Sequence, residues 1–258
     1  MLPLSITLFG VTIPTFTALI AAAVLVCAGI MVRALTGILS RACLIDVLLI
    51  MLLGGMIGAR IEHVALAWDH FAGMALERVL LPTRDGGLGW HGGVIGGLSA
   101  VLIGARVLNV TYAIPRVLAA LAPAVALIGA AGWIGCWAHG CAYGREVDTL
   151  AQFEAAPFIV HEARDVYGLV APRYATPLFG VMAALIAVTP LIFVRHRSAR
   201  RLWIALALFA VCMFMIGFFR GDSVPQWFGL RADQVLDSIM VLFALVCGKR
   251  SSNAKNFL

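Results

Sequence analysis

Runs of apolar residues, most of them close to the 20 residues that a bilayer core requires, recur along the whole chain. Seven runs are predicted as transmembrane spans: Ile13–Val32, Cys43–Ala59, Trp90–Ala105, Ala113–Cys136, Thr176–Val194, Leu202–Phe219 and Gln234–Cys247. Long lipid-exposed segments must satisfy their own backbone hydrogen bonds, so these spans are predicted to be helices. The third and seventh runs are short for a bilayer. The pattern predicts a single all-α polytopic membrane domain over residues 1–258.

Composition and charge bound the class and the orientation of the protein. Of the 258 residues, 62% are hydrophobic and 12% are charged, and the mean hydropathy is +0.99, which excludes an ordinary soluble domain. Eleven basic residues lie in segments that contain no Asp or Glu outside the spans: Arg33, Arg41, Arg106, Arg116, Arg195, Arg197, Arg200, Arg201, Lys249, Arg250 and Lys255. The positive-inside rule then predicts an outside N-terminus and a cytoplasmic C-terminus. The basic excess faces anionic membrane lipid, and no nucleic acid is expected as a partner.

Two segments between spans are long enough to build a site, and both are predicted on the outer face. Residues 60–89 are predicted to hold a short helix from Glu62 to Arg78 and a turn over 82–85. Residues 139–175 are polar and are predicted to be irregular. We therefore expect a small head made of these loops, with the active face directed outward.

The segment 85–97 combines seven glycines with one histidine, His91, and leads into an apolar run. Each glycine weakens a helix by about 1 kcal/mol relative to alanine, so this many glycines indicate close approach of a backbone or a ligand. One interpretation is helix packing alone, through four glycines at small-xxx-small spacing, Gly92, Gly93, Gly96 and Gly97. The other adds a function, because an ionisable side chain at the edge of a span is costly. No strand precedes the G-x-G-x-x-G spelling, so no dinucleotide site is expected.

Three arginines lie at the predicted outer ends of different spans: Arg60, Arg145 and Arg220. Together with His91 they predict a phosphate-binding site at the membrane interface, because guanidinium groups bind phosphate oxygens in a bidentate fashion. For Arg60 alone, a side chain that simply reaches from the helix end to the interface is the alternative.

The remaining polar residues near the spans are given structural interpretations. Cys136 and Cys141 flank His139, but the spacing is not that of a zinc site, and no metal is expected. A disulfide between the two cysteines is not favoured either, because a helical i,i+5 pair points in divergent directions. Asp46 and Asp237 lie near span ends, where a hydrated or hydrogen-bonded structural role is favoured over a proton relay.

At these residues the chain resembles the prolipoprotein diacylglyceryl transferases, which are bacterial inner-membrane enzymes with seven spans and an outside N-terminus. Five ordered blocks carry the resemblance: Gly58-Ala-Arg60, Asp85-Gly-Gly-Leu-Gly-Trp-His-Gly-Gly-Val-Ile-Gly96, Gly132-Trp-Ile-Gly-Cys-Trp-Ala-His-Gly-Cys-Ala-Tyr-Gly-Arg145, Pro172-Arg-Tyr-Ala-Thr-Pro-Leu-Phe179, and Gly217-Phe-Phe-Arg220 with Asp233-Gln-Val-Leu236. The second block is the most specific.

The chain departs from the family pattern inside these blocks. Trp133 and Met213 stand where the family has arginines. Cys136 and His139 replace the signature asparagines, and Cys141 replaces the signature glutamate.

The resemblance implies a reaction that moves diacylglycerol from phosphatidylglycerol to the lipobox cysteine of a preprolipoprotein, recognised through its signal peptide. His91 is then the thiol-activating base. The implied substrate-binding residues are Arg60, Gly92, Gly93, Gly144, Arg145 and Arg220. No metal or organic cofactor is implied. A catalytically inactive relative that binds lipid or a lipoprotein precursor is an alternative, and a small membrane transporter is a weaker one.

Overall fold

The computed structural model describes residues 3–8, 10–81, 87–150, 153, 156–195 and 198–253. The predicted turn over 82–85 lies outside the described residues, as do Asp85 and Gly86 of the glycine-rich segment.

All seven predicted spans are helical, with bounds that differ by a few residues from the predicted ones. The helices are α1 (Thr15–Leu35), α2 (Arg41–Leu66), α3 (Trp68–Phe71), α4 (Leu76–Leu80), α5 (Trp90–Val107), α6 (Ile114–His139), α7 (Thr176–Phe193), α8 (Arg200–Gly217) and α9 (Ala232–Asn253). Within the described part of the chain, five helices are long and apolar enough to cross a membrane, namely α1, α2, α6 with the turn before it, α7 and α8. The protein is therefore a mostly helical, polytopic membrane protein. The other two long helices, α5 and α9, correspond to the two short predicted runs.

Three small antiparallel hairpins accompany the helices, so the expectation of an all-α chain is wrong in detail. They pair β1 (Ser5–Leu8) with β2 (Val11–Pro14), β3 (Val160–Arg164) with β4 (Val170–Tyr174), and β5 (Gln226–Trp227) with β6 (Leu230–Arg231). The second hairpin lies in the segment predicted to be irregular. Its turn is closed by Asp165, whose carboxylate accepts hydrogen bonds from the backbone N–H groups of Tyr167 and Leu169. Local side-chain bonds of this kind favour turns and leave little periodicity in the sequence.

The predicted short helix from Glu62 to Arg78 is also wrong. Helix α2 continues through Leu66, so Glu62 lies inside a long helix, and two short helices follow it. The extension of α2 beyond its apolar run carries Glu62 alongside the start of α5. This placement matters for the site below.

The closest helix contact joins α2 and α5 through their glycines. A side chain at Gly58 would place its Cβ 2.2 Å from the carbonyl oxygen of Gly92 and 3.0 Å from the Cα of Gly96. A Cβ at Gly54 would lie 2.9 Å from the carbonyl oxygen of Gly96. The two backbones therefore touch directly, as small residues at i, i+4 spacing allow in membranes. The α2–α5 pair packs less closely against the other helices, and Trp90 of α5 contacts Phe209 of α8.

The substitution Gly58→Ala is expected to separate α2 from α5. The added methyl group overlaps a backbone carbonyl that cannot rotate away, so we expect a loss of stability of about 1–3 kcal/mol, the usual range for overpacking. Thermal unfolding of the purified protein in detergent measures the effect. Gly29→Ala in α1 is the matched control, because a Cβ at Gly29 meets nothing within 4 Å. Equal stability of the two variants would contradict the glycine contact.

Candidate functional site

His91 lies in the first turn of α5 and is buried, with 3% of its side chain exposed. Its Nδ1 lies 2.7 Å from Oε1 of Glu62 on α2, and its Nε2 lies 2.9 Å from Oδ1 of Asp237 on α9. The Trp90 ring lies beside the imidazole, with ring centroids 4.1 Å apart. The histidine predicted from the glycine-rich segment is therefore the junction of three helices, with a carboxylate at each ring nitrogen.

Glu62 has a second partner at the start of α5. Its Oε2 accepts a hydrogen bond from the backbone N–H of Gly92 at 2.6 Å. The first N–H groups of a helix have no partner within the helix, and the helix dipole favours a negative charge there. Glu62 therefore caps α5 from a neighbouring helix and orients the imidazole of His91 with its other oxygen.

Asp237 and Asp233 lie one turn apart on α9 and face different partners. Asp237 is 2% exposed and contacts His91, so its carboxylate is hydrogen-bonded within the protein and shielded from solvent. Asp233 accepts a hydrogen bond from Arg220 at 2.9 Å. Residues four apart on a helix share a face. Helix α9 therefore links the predicted base to one of the predicted arginines.

Arg220 belongs to a cluster of two arginines and two aspartates. Besides Asp233, it binds the carboxylate of Asp222 through two nitrogens, and Arg231 contacts the same two carboxylates. Burial works against the charge of Arg220, but the carboxylates of Asp222 and Asp233 raise the pKa of its guanidinium above the usual value. A phosphate that approached Arg220 would have to compete with these carboxylates.

Arg60 is also engaged, although by backbone carbonyls. Its guanidinium donates to the carbonyl oxygens of Val79 at 2.8 Å and Arg78 at 2.9 Å, with a longer contact of 3.3 Å to Gly87. The ring of Phe71 lies under it at 4.9 Å. Arg60 is 6% exposed. Arg60 therefore anchors the segment between α2 and α5 from within, which differs from an arginine that reaches out to the interface.

Gly144 and Arg145 lie where three chain segments cross. The backbone N–H of Arg145 donates to Phe219 at 2.7 Å, and its carbonyl accepts from Tyr174 at 3.1 Å. A Cβ at Gly144 would lie 2.1 Å from the carbonyl oxygen of Tyr174, so the crossing itself requires glycine. The backbone of Gly144 and Arg145 therefore runs beside that of Phe219 and Arg220. The guanidinium of Arg145 is exposed and has no carboxylate partner among the described residues.

Gly92 and Gly93 face α2. A Cβ at Gly92 would lie 2.2 Å from the carbonyl oxygen of Gly58, whereas one at Gly93 would meet the Cβ of Ala59 at 3.5 Å. Helix packing therefore requires glycine at position 92, whereas a Cβ at position 93 would make an ordinary van der Waals contact. Their predicted role in admitting a lipid headgroup stays a prediction.

Trp133 and Met213 are apolar residues in apolar surroundings. Trp133 and Met213 are 9% and 8% exposed and belong to one buried cluster with Phe209. The indole of Trp133 lies over Gly180 of α7, where a Cβ would approach it within 1.9 Å. Phe209 also contacts Trp90, at 5.3 Å between centroids. The side of His91 that carries Trp90 is therefore a packed apolar wall.

Cys136 and Cys141 form a disulfide, which corrects the expectation from their spacing. Helix α6 ends at His139, and Gly140 adopts a left-handed backbone conformation with φ of 71°. The chain therefore turns back on itself, and the two Cα atoms lie 4.6 Å apart, within bridging range. The other four cysteines are free thiols. In the part of the chain that the structure describes, no group of three His, Cys, Asp or Glu side chains is arranged to hold a metal ion.

Sequence reasoning predicted His91 and Arg220 as site residues but assigned no role in the site to Glu62. The signal was present, because Glu62 continues the i, i+4 series of Gly54 and Gly58 on α2. Asp237 was recognised as a carboxylate in a span, but its contact with a histidine 146 residues away depends on the fold.

The fold and the site define a polytopic helical membrane protein with a buried histidine held between two carboxylates. A model of the prolipoprotein diacylglyceryl transferase family matches residues 3–248, and the chain belongs to this family.

Individual relatives are distant. The phosphatidylglycerol–prolipoprotein diacylglyceryl transferase of Streptococcus uberis is 28% identical over 209 residues, which cover 78% of this chain and 76% of that protein. The protein of the same name from Rhodococcus jostii is 28% identical over 212 residues, covering 74% of this chain and 57% of the relative. The Deinococcus radiodurans protein of that name is 42% identical over 59 residues, covering 22% of this chain and 17% of its own length.

The substitution Arg60→Lys is expected to loosen the segment between α2 and α5. Lysine carries its donors on a single nitrogen, which cannot reach carbonyl oxygens that Arg60 contacts through three different nitrogens, so most of these contacts are lost. A hydrogen bond from a charged donor contributes about 1.5–3 kcal/mol, so a loss of about 2 kcal/mol raises the open population roughly thirtyfold. Tryptic cleavage after Arg78 should accelerate accordingly. Arg106→Lys, which removes a contact to the carbonyl of Leu102, is the control. Unchanged cleavage would show that Arg60 does not hold this segment.

The double substitution of Cys136 and Cys141 by serine is expected to lower stability by about 2 kcal/mol, the loop-entropy value for so short a ring. Thermal unfolding with and without a reductant measures it. The parent protein should respond to the reductant and the double variant should not. Cys212→Ser, which replaces a free thiol, should retain the full response. A parent protein that is insensitive to reductant would contradict the disulfide.

Proposed function

We propose that this chain transfers the diacylglyceryl group of phosphatidylglycerol to the cysteine thiol of a prolipoprotein. The observation that carries the proposal is the family match over residues 3–248 with His91 buried at the centre of its most specific block. The curated relatives bear the name of this activity. The acceptor is then the lipobox cysteine that follows the signal peptide.

The chemistry requires a base and a cation. The thiol S–H bond breaks, sulfur attacks the glyceryl carbon, and the C–O bond to phosphate breaks, releasing glycerol phosphate with an added negative charge. His91 is the residue proposed to accept the thiol proton, since a thiolate is the attacking species and the pKa of a free thiol lies above neutral pH. No step requires electron transfer, so we propose no redox cofactor.

The arginines supply positive charge for the leaving phosphate to different extents. Arg145 offers an exposed guanidinium, next to Gly144 at the chain crossing. Arg220 lies at the same crossing, and it could bind the phosphate only in competition with the carboxylates that it already contacts. Arg60 acts at a distance by holding the segment that leads into α5. Charge on the leaving group is stabilised best by donors that are already in place.

The charge distribution supports a seven-span arrangement with α5 and α9 included, an outside N-terminus and a cytoplasmic C-terminus. We place the protein in the bacterial inner membrane with its active face outward. This orientation puts His91, near the start of α5, and the hairpin β3–β4 at the side where exported prolipoproteins emerge. Membrane lipid surrounds the spans and provides the donor.

The substitution His91→Ala is expected to lower the rate of lipidation by about 100-fold or more, the usual contribution of a positioned base. The measurement uses purified protein, phosphatidylglycerol and a lipobox peptide, with the lipidated peptide detected by mass spectrometry. His70→Ala is the matched control, because His70 lies on α3 outside the site.

Three results would overturn parts of this proposal. Full activity of the His91→Ala variant would remove His91 from the mechanism. A parent protein that binds the peptide and lipid without producing thioether would be the inactive relative, and one that moves solutes into proteoliposomes would be a transporter. No structural observation favours either alternative.

A further inference from the structure

The inference concerns the two carboxylates that flank His91, and it rests on the proposed function. Both ring nitrogens of His91 lie within hydrogen-bond distance of a carboxylate oxygen, 2.7 Å at Nδ1 and 2.9 Å at Nε2. All three side chains are shielded, with 3% of His91, 10% of Glu62 and 2% of Asp237 exposed. Water is therefore a poor substitute for either contact.

Counting protons constrains the state of this cluster. A neutral imidazole has one N–H, so one of its two nitrogens would present a lone pair to a carboxylate lone pair. Two hydrogen bonds require two protons. Either His91 is an imidazolium between two carboxylates, or it is neutral and one carboxyl group is protonated. Both forms carry a net charge of −1 and differ only in the position of one proton.

In either form the ring of His91 has no free lone pair. His91 alone therefore cannot accept the thiol proton while both contacts are made. The cluster becomes a base after it loses one proton, when one contact opens and a ring nitrogen is released. The unit that titrates is the cluster, because strongly interacting groups exchange protons as a set.

The two carboxylates are not equivalent. Glu62 is held at both oxygens, by His91 and by the N–H of Gly92, where the helix dipole stabilises a negative charge. The carboxyl group of Asp237 has one hydrogen-bond partner among the described residues, His91. The contact that opens is therefore the one between Nε2 and Asp237.

Other charged groups surround the cluster on each packed element. On α2, Arg60 is committed to the carbonyls before α5, and His63 lies one residue beyond Glu62. On α9, Asp233 is paired with Arg220 and Arg231. None of these groups donates to Glu62 or Asp237 in the described part of the chain, so the shared protons stay with the three members.

We propose that Glu62 and Asp237 are positioning residues that make His91 a base by sharing its protons. In the one-proton state, the Nδ1–H of His91 donates to Glu62 and the free Nε2 faces the substrate. The thiol S–H bond then breaks, its proton moves to Nε2, and sulfur bonds to the glyceryl carbon as the C–O bond breaks. The contact between Nε2 and Asp237 closes again, which is the arrangement in the structure, and the added proton leaves to solvent.

The decisive variant is Asp237→Asn, which keeps the shape and removes one negative charge. We expect kcat to fall by about 10- to 100-fold, less than the roughly 10²–10⁴-fold that a positioned base contributes itself, because His91 remains in place, while KM for phosphatidylglycerol is unchanged. The acid limb of the pH–rate profile should move to lower pH, because the imidazolium loses one of its two stabilising charges. Asp237→Glu should restore part of the rate. Asp46→Asn, which replaces an exposed carboxylate on α2, is the matched control.

A second measurement does not depend on activity. Ring-nitrogen NMR of protein labelled with ¹⁵N-histidine should show one of two patterns for His91 near neutral pH. Either both ring nitrogens are protonated, or one is protonated and the other shares a proton with a carboxyl group. Asp237→Asn should leave one nitrogen unprotonated. The His91 signals are identified by their loss in His91→Ala.

The outcomes separate this inference from the proposed function. If the parent lipidates the peptide and Asp237→Asn has the same kcat and pH profile, the inference fails and the function stands. If the parent does not lipidate the peptide, the function fails and the nitrogen spectra still test the shared protons. An ordinary neutral His91 with one unprotonated nitrogen in the parent would overturn the inference.

Discussion

The direct backbone contact between α2 and α5 is the constraint on which the candidate site depends. Gly54 and Gly58 meet Gly92 and Gly96 without intervening side chains, and Glu62 is the next position in the same i, i+4 series on α2. At the distance that the glycines allow, the carboxylate of Glu62 reaches both the imidazole of His91 and the N–H of Gly92. Larger residues would move α2 outward, and both bonds would lengthen. The glycines thus serve packing and chemistry through the same contact.

The shielded charged side chains of this protein are stabilised by contacts with groups of opposite charge. Two carboxylates surround His91, while Arg220 and Arg231 neutralise Asp222 and Asp233. Interactions of this kind are stronger where water is excluded, and an unpaired member would be costly for the same reason. Asp233 and Asp237 share a face of α9, so the two charged sets lie one helical turn apart on that helix.

The helices could be predicted from the sequence because they depend on the length of the apolar runs. Features that depend on tertiary contacts or on a single turn residue could not. All seven apolar runs became helices because their lengths leave little alternative in lipid. The disulfide was missed because the left-handed Gly140 ends α6 between the two cysteines. The hairpin β3–β4 was missed because its strands are short and its turn is closed by one aspartate. The seven-span topology and the substrate-binding residues stay predictions.

Apolar and charged groups reach His91 from different helices. Trp133 and Met213 belong to the buried cluster against which Trp90 packs, and Trp90 lies beside the imidazole, whereas the two carboxylates come from α2 and α9. His91 and Arg220, the base and one cation of the proposed reaction, contact aspartates one turn apart on α9. Four residues of an α-helix advance about 6 Å. Reacting atoms must approach to about 3–3.5 Å. An offset of about 6 Å along α9 exceeds that approach distance. In the proposed reaction the base and the cation would therefore not touch each other, and the sulfur, the glyceryl carbon and the phosphate oxygen would lie between them.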